Sequence, residues 1–227
     1  MLDARDIEQL AAFYSQLTGW QVHTKDASWI TLAAPDGTEL AFQLAPDHVP
    51  PQWPSQEHPQ QFHLDLLIDG YLEAAERAVG LGATRLADGA TWVTLADPAG
   101  HPFDLVQRDG VGPAMGLYAT TIDAPDAGAL AHFYAALMGM EVGYEGPEGA
   151  LITGNGKCVM FQQISDYNPP RWPDPAYPQQ AHLDIAVDDL DAGEARALEL
   201  GATRLESGGE SFRVFADPAG HPFCLTR

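Results

Sequence analysis

The pattern of apolar and polar positions is clearest in the second half of the chain. Residues 117–123 (LYATTID) alternate and include β-branched side chains, which is typical of a strand. In the next segment, apolar residues recur at spacings of three and four and predict a helix that ends at Gly139. These apolar residues are Leu130, Phe133, Tyr134 and Leu137. Short strand candidates follow at Glu141–Tyr144, Ala150–Thr153 and Cys158–Gln163.

The same order of elements recurs along the chain. A proline-rich connector at 166–180 leads to a second copy, which begins with the strand HLDIAV and continues with a helix at Asp188–Leu200. The first half of the chain repeats the whole pattern at an offset of 119 or 120 residues. The octapeptide ADPAGHPF stands unchanged at 96–103 and 216–223. The chain is therefore a duplication of a module that itself contains the pattern twice.

This duplication predicts the domain organisation and the fold class. We predict module 1 at 1–108, a linker at 109–116 and module 2 at 117–227. Residues 2–4 align with 122–124, so the opening strand of module 1 is truncated: either the fold tolerates an incomplete edge, or the true start lies upstream. The predicted fold is α+β, with four βαβββ units that form curved half-open sheets with helices packed outside. Their concave faces are the expected ligand cavities.

Charge and composition exclude some classes of partner. The chain carries 32 acidic and 11 basic residues, a net charge of −21, which repels nucleic acid and anionic membranes. The same charge favours solubility or attracts a cationic ligand. The N-terminus has no basic leader or apolar signal core, so we expect a cytoplasmic protein. Cys158 and Cys224 are then expected to be reduced, buried thiols.

Strand alternation indicates where chemistry could occur. His63 and Asp65 share the face of their strand that points away from the helices, and His182 and Asp184 do the same in module 2. The final strand of each module adds one more residue to that face, Asp104 in module 1 and Cys224 in module 2. Imidazole with carboxylate or thiolate suits zinc, nickel, manganese or iron. A hydrogen-bonded His–Asp pair without metal fits the same spacing, so the cofactor is either a divalent metal or none.

Other residues are candidates for catalysis and ligand binding. Asp65 and Asp184 are the candidate general bases, each with a histidine two residues earlier. His63 and His182 are also candidate ligand-binding residues. The aromatic candidates for ligand contact are Trp53, Trp172, Tyr167 and Tyr177. These residues could equally anchor the proline-rich connectors.

These motifs together resemble the vicinal oxygen chelate superfamily, which includes glyoxalase I, bleomycin-resistance proteins and extradiol dioxygenases. The resemblance rests on the fourfold βαβββ order, the FY-x₃-L-x-G helix, the HLD strand and the DPAGHPF turn, and it covers essentially the whole chain. It implies that the metal ligands are a histidine at His63 or His182, an acid at the position of Asp104 or Cys224, and a residue on an opening strand. That last position falls at Ala119 in module 2 and before Met1 in module 1, so neither module carries the family's full ligand set.

Three functions remain open at this point. The first is a small-molecule-binding protein with a cationic or aromatic ligand and no need for metal. The second is a metal-dependent lyase, isomerase or dioxygenase that acts through His63 and Asp104. The third is a non-catalytic scaffold or dimerisation module. The chain is expected to be either a monomer with pseudo-dimeric modules or a homodimer.

Overall fold

The structure, a computed structural model, describes residues 1–112, 114–174 and 176–227. The chain divides into two compact units, Met1–Thr120 (unit 1) and Thr121–Arg227 (unit 2). The helices are α1 (Ile7–Thr18), α2 (Tyr71–Gly80), α3 (Ala127–Met138) and α4 (Leu190–Glu199). The strands of unit 1 are β1 (Leu2–Ala4), β2 (Gln21–Lys25), β3 (Trp29–Ala33), β4 (Glu39–Leu44), β5 (Phe62–Ile68), β6 (Thr84–Asp88), β7 (Trp92–Ala96) and β8 (Pro102–Gln107). Strand β9 (Gly116–Ala124) crosses the boundary, and unit 2 continues with β10 (Glu141–Gly146), β11 (Gly149–Gly154), β12 (Lys157–Gln163), β13 (Leu183–Ala186), β14 (Thr203–Gly208), β15 (Phe212–Ala216) and β16 (Pro222–Thr226).

The predicted α+β class and the tandem βαβββ order are confirmed. In unit 1 the strand orders are β1-β4-β3-β2 and β5-β8-β7-β6, with β9 beside β5. In unit 2 they are β9-β12-β11-β10 and β13-β16-β15-β14. The first strand of a βαβββ unit pairs in parallel with its last strand, as in β1 with β4, β5 with β8 and β13 with β16. This parallel pair brings the opening and closing strands side by side, although a helix and two strands separate them in the sequence.

Aspartate side chains cap the first helix of each unit, and α3 ends at the glycine that the sequence predicts. The side chain of Asp126 accepts a hydrogen bond from the backbone of Ala129 at the start of α3, and Asp6 does the same for Gln9 at the start of α1. Gly139 ends α3 in the left-handed conformation, with φ of 66°. The second helix of unit 2 is shorter than predicted, because Asp189 caps it and it begins only at Leu190.

The repeated octapeptide forms a turn that is bound to the first helix of its own unit. The carboxylate of Asp97 accepts the backbone N–H groups of Ala99 (2.8 Å) and His101 (3.0 Å). The hydroxyl of Tyr14 on α1 donates to the other oxygen of Asp97 at 3.0 Å, and the Tyr14 ring stacks on Phe42. In unit 2 the hydroxyl of the equivalent Tyr134 donates to Asp217 at 2.9 Å. The turn therefore fixes the strand that follows it against the core.

Two further findings concern the cysteines and membranes. Cys158 and Cys224 form no disulfide within the described part of the chain. Cys224 is buried, as predicted, whereas Cys158 is half-buried because only alternate side chains of β12 enter the core. Among the described residues, no helix is long and apolar enough to cross a membrane.

Candidate functional site

Strand β5 separates an apolar face from a polar one. Its alternate residues Phe62, Leu64, Leu66 and Ile68 are buried in the core. Residues between them, including His63 and Asp65, point to the opposite face. In the parallel pair of β5 and β8, Asp65 lies directly beside Asp104. His63, Asp65 and Asp104 thus form one cluster, the first centre, in which one ligand atom of each side chain lies within 4.8 Å of the others.

Nearby polar groups orient the histidine of the first centre. Nε2 of His63 is 3.9 Å from Oδ2 of Asp65, and each of these side chains is 10% exposed. On the other side of the ring, the amide nitrogen of Gln60 is 3.0 Å from Nδ1 of His63. His63 is therefore held between an amide and a carboxylate, with Nε2 facing the acidic side of the centre.

The groups around Asp104 compensate only part of the cost of burying its carboxylate. Burial raises the pKa of its carboxyl group, while the charge of His63 and the hydrogen bond from Thr94 partly oppose that rise and the charge of Asp65 adds to it. Thr94 is the partner of Asp104 across the antiparallel pair of β7 and β8. Oδ1 of Asp104 is buried and has no hydrogen-bond partner among the described residues. A buried carboxylate oxygen in this condition destabilises the charged form unless a cation or a donor reaches it.

His182, Asp184 and Cys224 form an equivalent cluster in unit 2, the second centre. Nε2 of His182 lies 3.2 Å from Oδ1 of Asp184, and Asp184 is the register partner of Cys224. Burial acts to raise the pKa of Asp184, but the hydrogen bond from His182 and its charge outweigh burial, so the pKa lies below the ordinary value. The second centre therefore holds an ionised carboxylate beside a thiol.

The neighbouring strand explains part of the difference between the two centres. Val214 faces Cys224 in unit 2, where Thr94 faces Asp104 in unit 1. A hydroxyl donor thus accompanies the carboxylate, and an apolar side chain accompanies the thiol. The first centre offers nitrogen and two oxygens, whereas the second offers nitrogen, oxygen and sulfur.

The opening-strand position of the family's ligand set falls on β9. Ala119 is fully buried there, and β9 is the neighbour of β5. Its methyl group offers no ligand atom. Asp65 does offer one, and the structure groups it with His63 and Asp104, although sequence reasoning considered it only as a base.

The aromatic candidates lie in the connectors that precede β5 and β13. Trp53 and Trp172 are half-buried. The hydroxyl of Tyr167 donates to the carbonyl oxygen of Ala219 in the octapeptide turn, at 2.9 Å. The guanidinium of Arg171 lies 4.1 Å from the centre of the Tyr177 ring. Tyr167 therefore anchors its connector to the turn, and ligand contact by these four aromatic residues stays a prediction.

Sequence reasoning missed Thr94 and Gln60. The signal for Thr94 was present, because the repeat exchanges Thr94 for Val214 and Asp104 for Cys224 together. Gln60 carried a weaker signal, since glutamines stand before the HLD strand in both halves.

The fold and these residues can now be compared with known proteins. The family model of the glyoxalase-like domain matches residues 1–106 and again 119–226, so the chain belongs to the glyoxalase-like domain family. Glyoxalase I from Zea mays is similar in structure, with a TM-score of 0.70 and 17% identity over 99% of this chain and 89% of that one. A putative dioxygenase from Bacillus subtilis is also similar, with a TM-score of 0.66 and 12% identity over 99% of this chain and 82% of that one. No curated protein matches the chain. The family match and the shared fold confirm the resemblance to the vicinal oxygen chelate superfamily.

Proposed function

We propose that the protein binds a small molecule through a divalent cation held by the first centre. The observation that carries this proposal is the buried, unpartnered Oδ1 of Asp104 beside His63 and Asp65. A neutral imidazole and two carboxylates together carry a charge of −2, which a divalent cation neutralises. Zinc, nickel, manganese and iron all accept this donor set. The residues present therefore fit the metal that the family implies.

Asp65 is proposed as the third ligand, in the place of the side chain that Ala119 lacks. Its carboxyl group is the register neighbour of Asp104 and lies beside Nε2 of His63. The alternative role of Asp65 is the general base predicted from the sequence. The two roles separate by the size of the effect: Asp65→Asn should lower metal affinity as strongly as Asp104→Asn if Asp65 is a ligand, and by less if it contributes only a nearby negative charge.

The histidine must present a lone pair at Nε2 to bind the cation. As the groups now stand, the Gln60 amide nitrogen donates to Nδ1 of His63, which leaves the ring hydrogen on Nε2. Rotation of the Gln60 amide would put its oxygen next to Nδ1 and select the other tautomer. Gln60→Glu should favour that tautomer permanently, because a carboxylate accepts the Nδ1 hydrogen, and it should strengthen metal binding.

A bound cation of this kind polarises a carbonyl or enolate oxygen of the ligand, the chemistry of lyases, isomerases and dioxygenases. The residues of the chain supply orientation and proton transfer. Asp184, with its lowered pKa and its hydrogen bond to His182, is the proposed base of the second centre. The net charge of −21 favours a cationic ligand, and two cysteines that form no disulfide among the described residues accord with a cytoplasmic location.

The first test is metal binding by tag-free, chelator-treated protein. Calorimetric titration with manganese, zinc, nickel and iron(II) should show an ion whose affinity falls about tenfold or more in Asp104→Asn and His63→Ala, because each substitution removes a ligand. Glu206→Gln, which removes an exposed negative charge, is the matched control. Equal affinity in Asp104→Asn and the wild type would refute the metal site.

The second test is ligand binding in the presence and absence of the ion. Thermal shifts with 2-oxoaldehydes and with cationic aromatic compounds should appear only in the metal-loaded wild type. A shift that persists without metal and vanishes in Asp104→Asn would instead establish metal-free binding, with a protonated Asp104 as the donor. No shift with any compound would favour a scaffold or dimerisation role.

A further inference from the structure

A cavity lies at the start of helix α1 and shares no residue with the first centre. Its volume is about 170 Å³, large enough for a small organic molecule. Its lining comes from the chain before α1, the first turn of α1, the connector after β4 and the octapeptide turn, all within unit 1. The polar side chains of the lining are those of Arg5, Asp6, Gln9 and His48.

His48 lines this cavity, and its ring carries an unsatisfied acceptor. The residue is 2% exposed, and its Nε2 lies 3.0 Å from the carbonyl oxygen of Ala99. A carbonyl oxygen only accepts, so Nε2 carries the ring hydrogen. Burial, followed by the nearby charge of His101, lowers the pKa of His48 to about 4, and the ring is neutral at neutral pH. Nδ1 therefore keeps its lone pair, and this buried atom has no hydrogen-bond partner among the described residues.

Arg5 places a positive charge next to this acceptor. Its Nε donates to the backbone carbonyl oxygen of His48 at 2.8 Å, which holds the guanidinium at the edge of the cavity. Arg5 is exposed and forms no ion pair within the described part of the chain. Asp6, the acid of the lining, accepts the backbone N–H group of Gln9 at 2.8 Å and so turns one oxygen towards the start of α1. The terminal nitrogens of Arg5 are thus available to an anion.

The second half of the chain does not carry this set of groups. The residues equivalent to Arg5, Gln9 and His48 are Pro125, Ala129 and Tyr167. The hydroxyl of Tyr167 donates to Ala219 at 2.9 Å and lies 3.1 Å from Nε2 of His221. The phenol of Tyr167 thus makes the hydrogen bond to the turn that Nε2 of His48 makes in unit 1. A tyrosine side chain has no second polar atom that would need a hydrogen-bond partner. The acceptor and the cation are specific to unit 1, although the turn beneath them is identical in both units.

We propose that this cavity binds a small hydroxycarboxylic acid. Its hydroxyl group would donate to Nδ1 of His48, and its carboxylate would pair with Arg5. The lone pair at Nδ1 can accept a hydrogen bond, and the guanidinium attracts an anion. A hydroxyl next to a carboxylate supplies both within a few atoms.

Glycolate is the probe, and acetate and ethylene glycol are its controls, because each control lacks one of the two groups. The titration is made on the full chain in the presence of a chelator, which removes any contribution from the first centre. Calorimetry gives the affinities, and ¹⁵N-histidine spectra report the Nδ1 resonance of His48. Glycolate should bind about tenfold more tightly than acetate, because the hydroxyl bond to a buried acceptor adds to the charge pair. The Nδ1 signal should move with glycolate only.

Two variants separate the contribution of His48 to binding from that of Arg5. In His48→Tyr, which carries the residue that unit 2 uses, glycolate and acetate should bind equally weakly. In Arg5→Gln, an exposed substitution, both anions should lose affinity, because the variant lacks the charge that pairs with a carboxylate. The proposal is overturned if wild type binds glycolate and acetate equally, if His48→Tyr still discriminates between them, or if no anion binds, in which case water alone satisfies Nδ1.

Discussion

Asp65 and Asp104 lie side by side on the parallel strands β5 and β8, next to the ring of His63. Burial raises the pKa of Asp104, and the negative charge of Asp65 adds to that rise. Thr94 compensates only part of this cost. The two carboxyl groups therefore make the folded protein less stable than two uncharged side chains would. Such a cost is common at binding sites, where a ligand supplies the positive charge or the hydrogen-bond donor that the protein lacks.

The first prediction is that Asp104→Asn stabilises the metal-free protein at neutral pH. Between the ordinary carboxyl pKa and the raised value, the folded state keeps a proton that the unfolded state releases, so wild-type stability falls as pH rises through that window. Asparagine does not titrate. Urea unfolding at a series of pH values should therefore show an advantage for Asp104→Asn that is absent at acid pH and grows to about 1 kcal/mol near pH 7. A variant less stable than wild type at pH 7 without metal would contradict this account.

The second prediction concerns the exchange of Thr94 and Asp104 for Val214 and Cys224. Cys224→Asp alone should destabilise the protein by about 1–3 kcal/mol, because it buries a carboxylate against Val214 without a donor. Adding Val214→Thr should recover much of that loss. The coupling energy follows from the unfolding free energies of the single and double variants, and additive effects would show that the strand pairing does not connect the two positions.

The third prediction concerns acid stability and His48. Because burial holds the folded-state pKa of His48 at about 4, below the ordinary value of 6.5, the folded state cannot take up the proton that the unfolded state binds. Stability should be fully present above pH 6.5 and decline as pH falls towards 4, by roughly 3 kcal/mol at most. His48→Tyr should remove this contribution. Substituting the exposed His132 by glutamine is the control and should change the free energy of unfolding by no more than about 0.5 kcal/mol, because its ion pair with Glu145 is exposed.

The fourth prediction tests the attachment of the octapeptide turn to the first helix of each unit. Tyr14→Phe and Tyr134→Phe each remove a buried hydroxyl that donates to a carboxylate. Each should lower the free energy of unfolding by about 1.5–3 kcal/mol, because the acceptor is charged and fully buried. Thermal or urea denaturation measures the loss, and Tyr144→Phe on the exposed strand β10 is the control, with an expected change within about 0.5 kcal/mol.

The fold was predictable because its signals are local and repeated. Gly139 marks the end of helix α3 in the sequence, and the structure ends the helix there. Alternation along β5 likewise assigned His63 and Asp65 to the face opposite the core. A period of two or of 3.6 residues is set by backbone geometry, so it can be recognised in the sequence without knowledge of tertiary contacts.

The sequence by itself thus determined the duplication, the order of elements and the face on which each polar side chain lies. Only the tertiary structure decided which of those side chains meet. The register of β5 against β8 placed Asp65 beside Asp104, and that of β7 against β8 placed Thr94 opposite the same residue. It also showed that Oδ1 of Asp104 and Nδ1 of His48 lack partners among the described residues. Burial and the satisfaction of hydrogen bonds depend on segments that are far apart in the chain, and no local pattern records them.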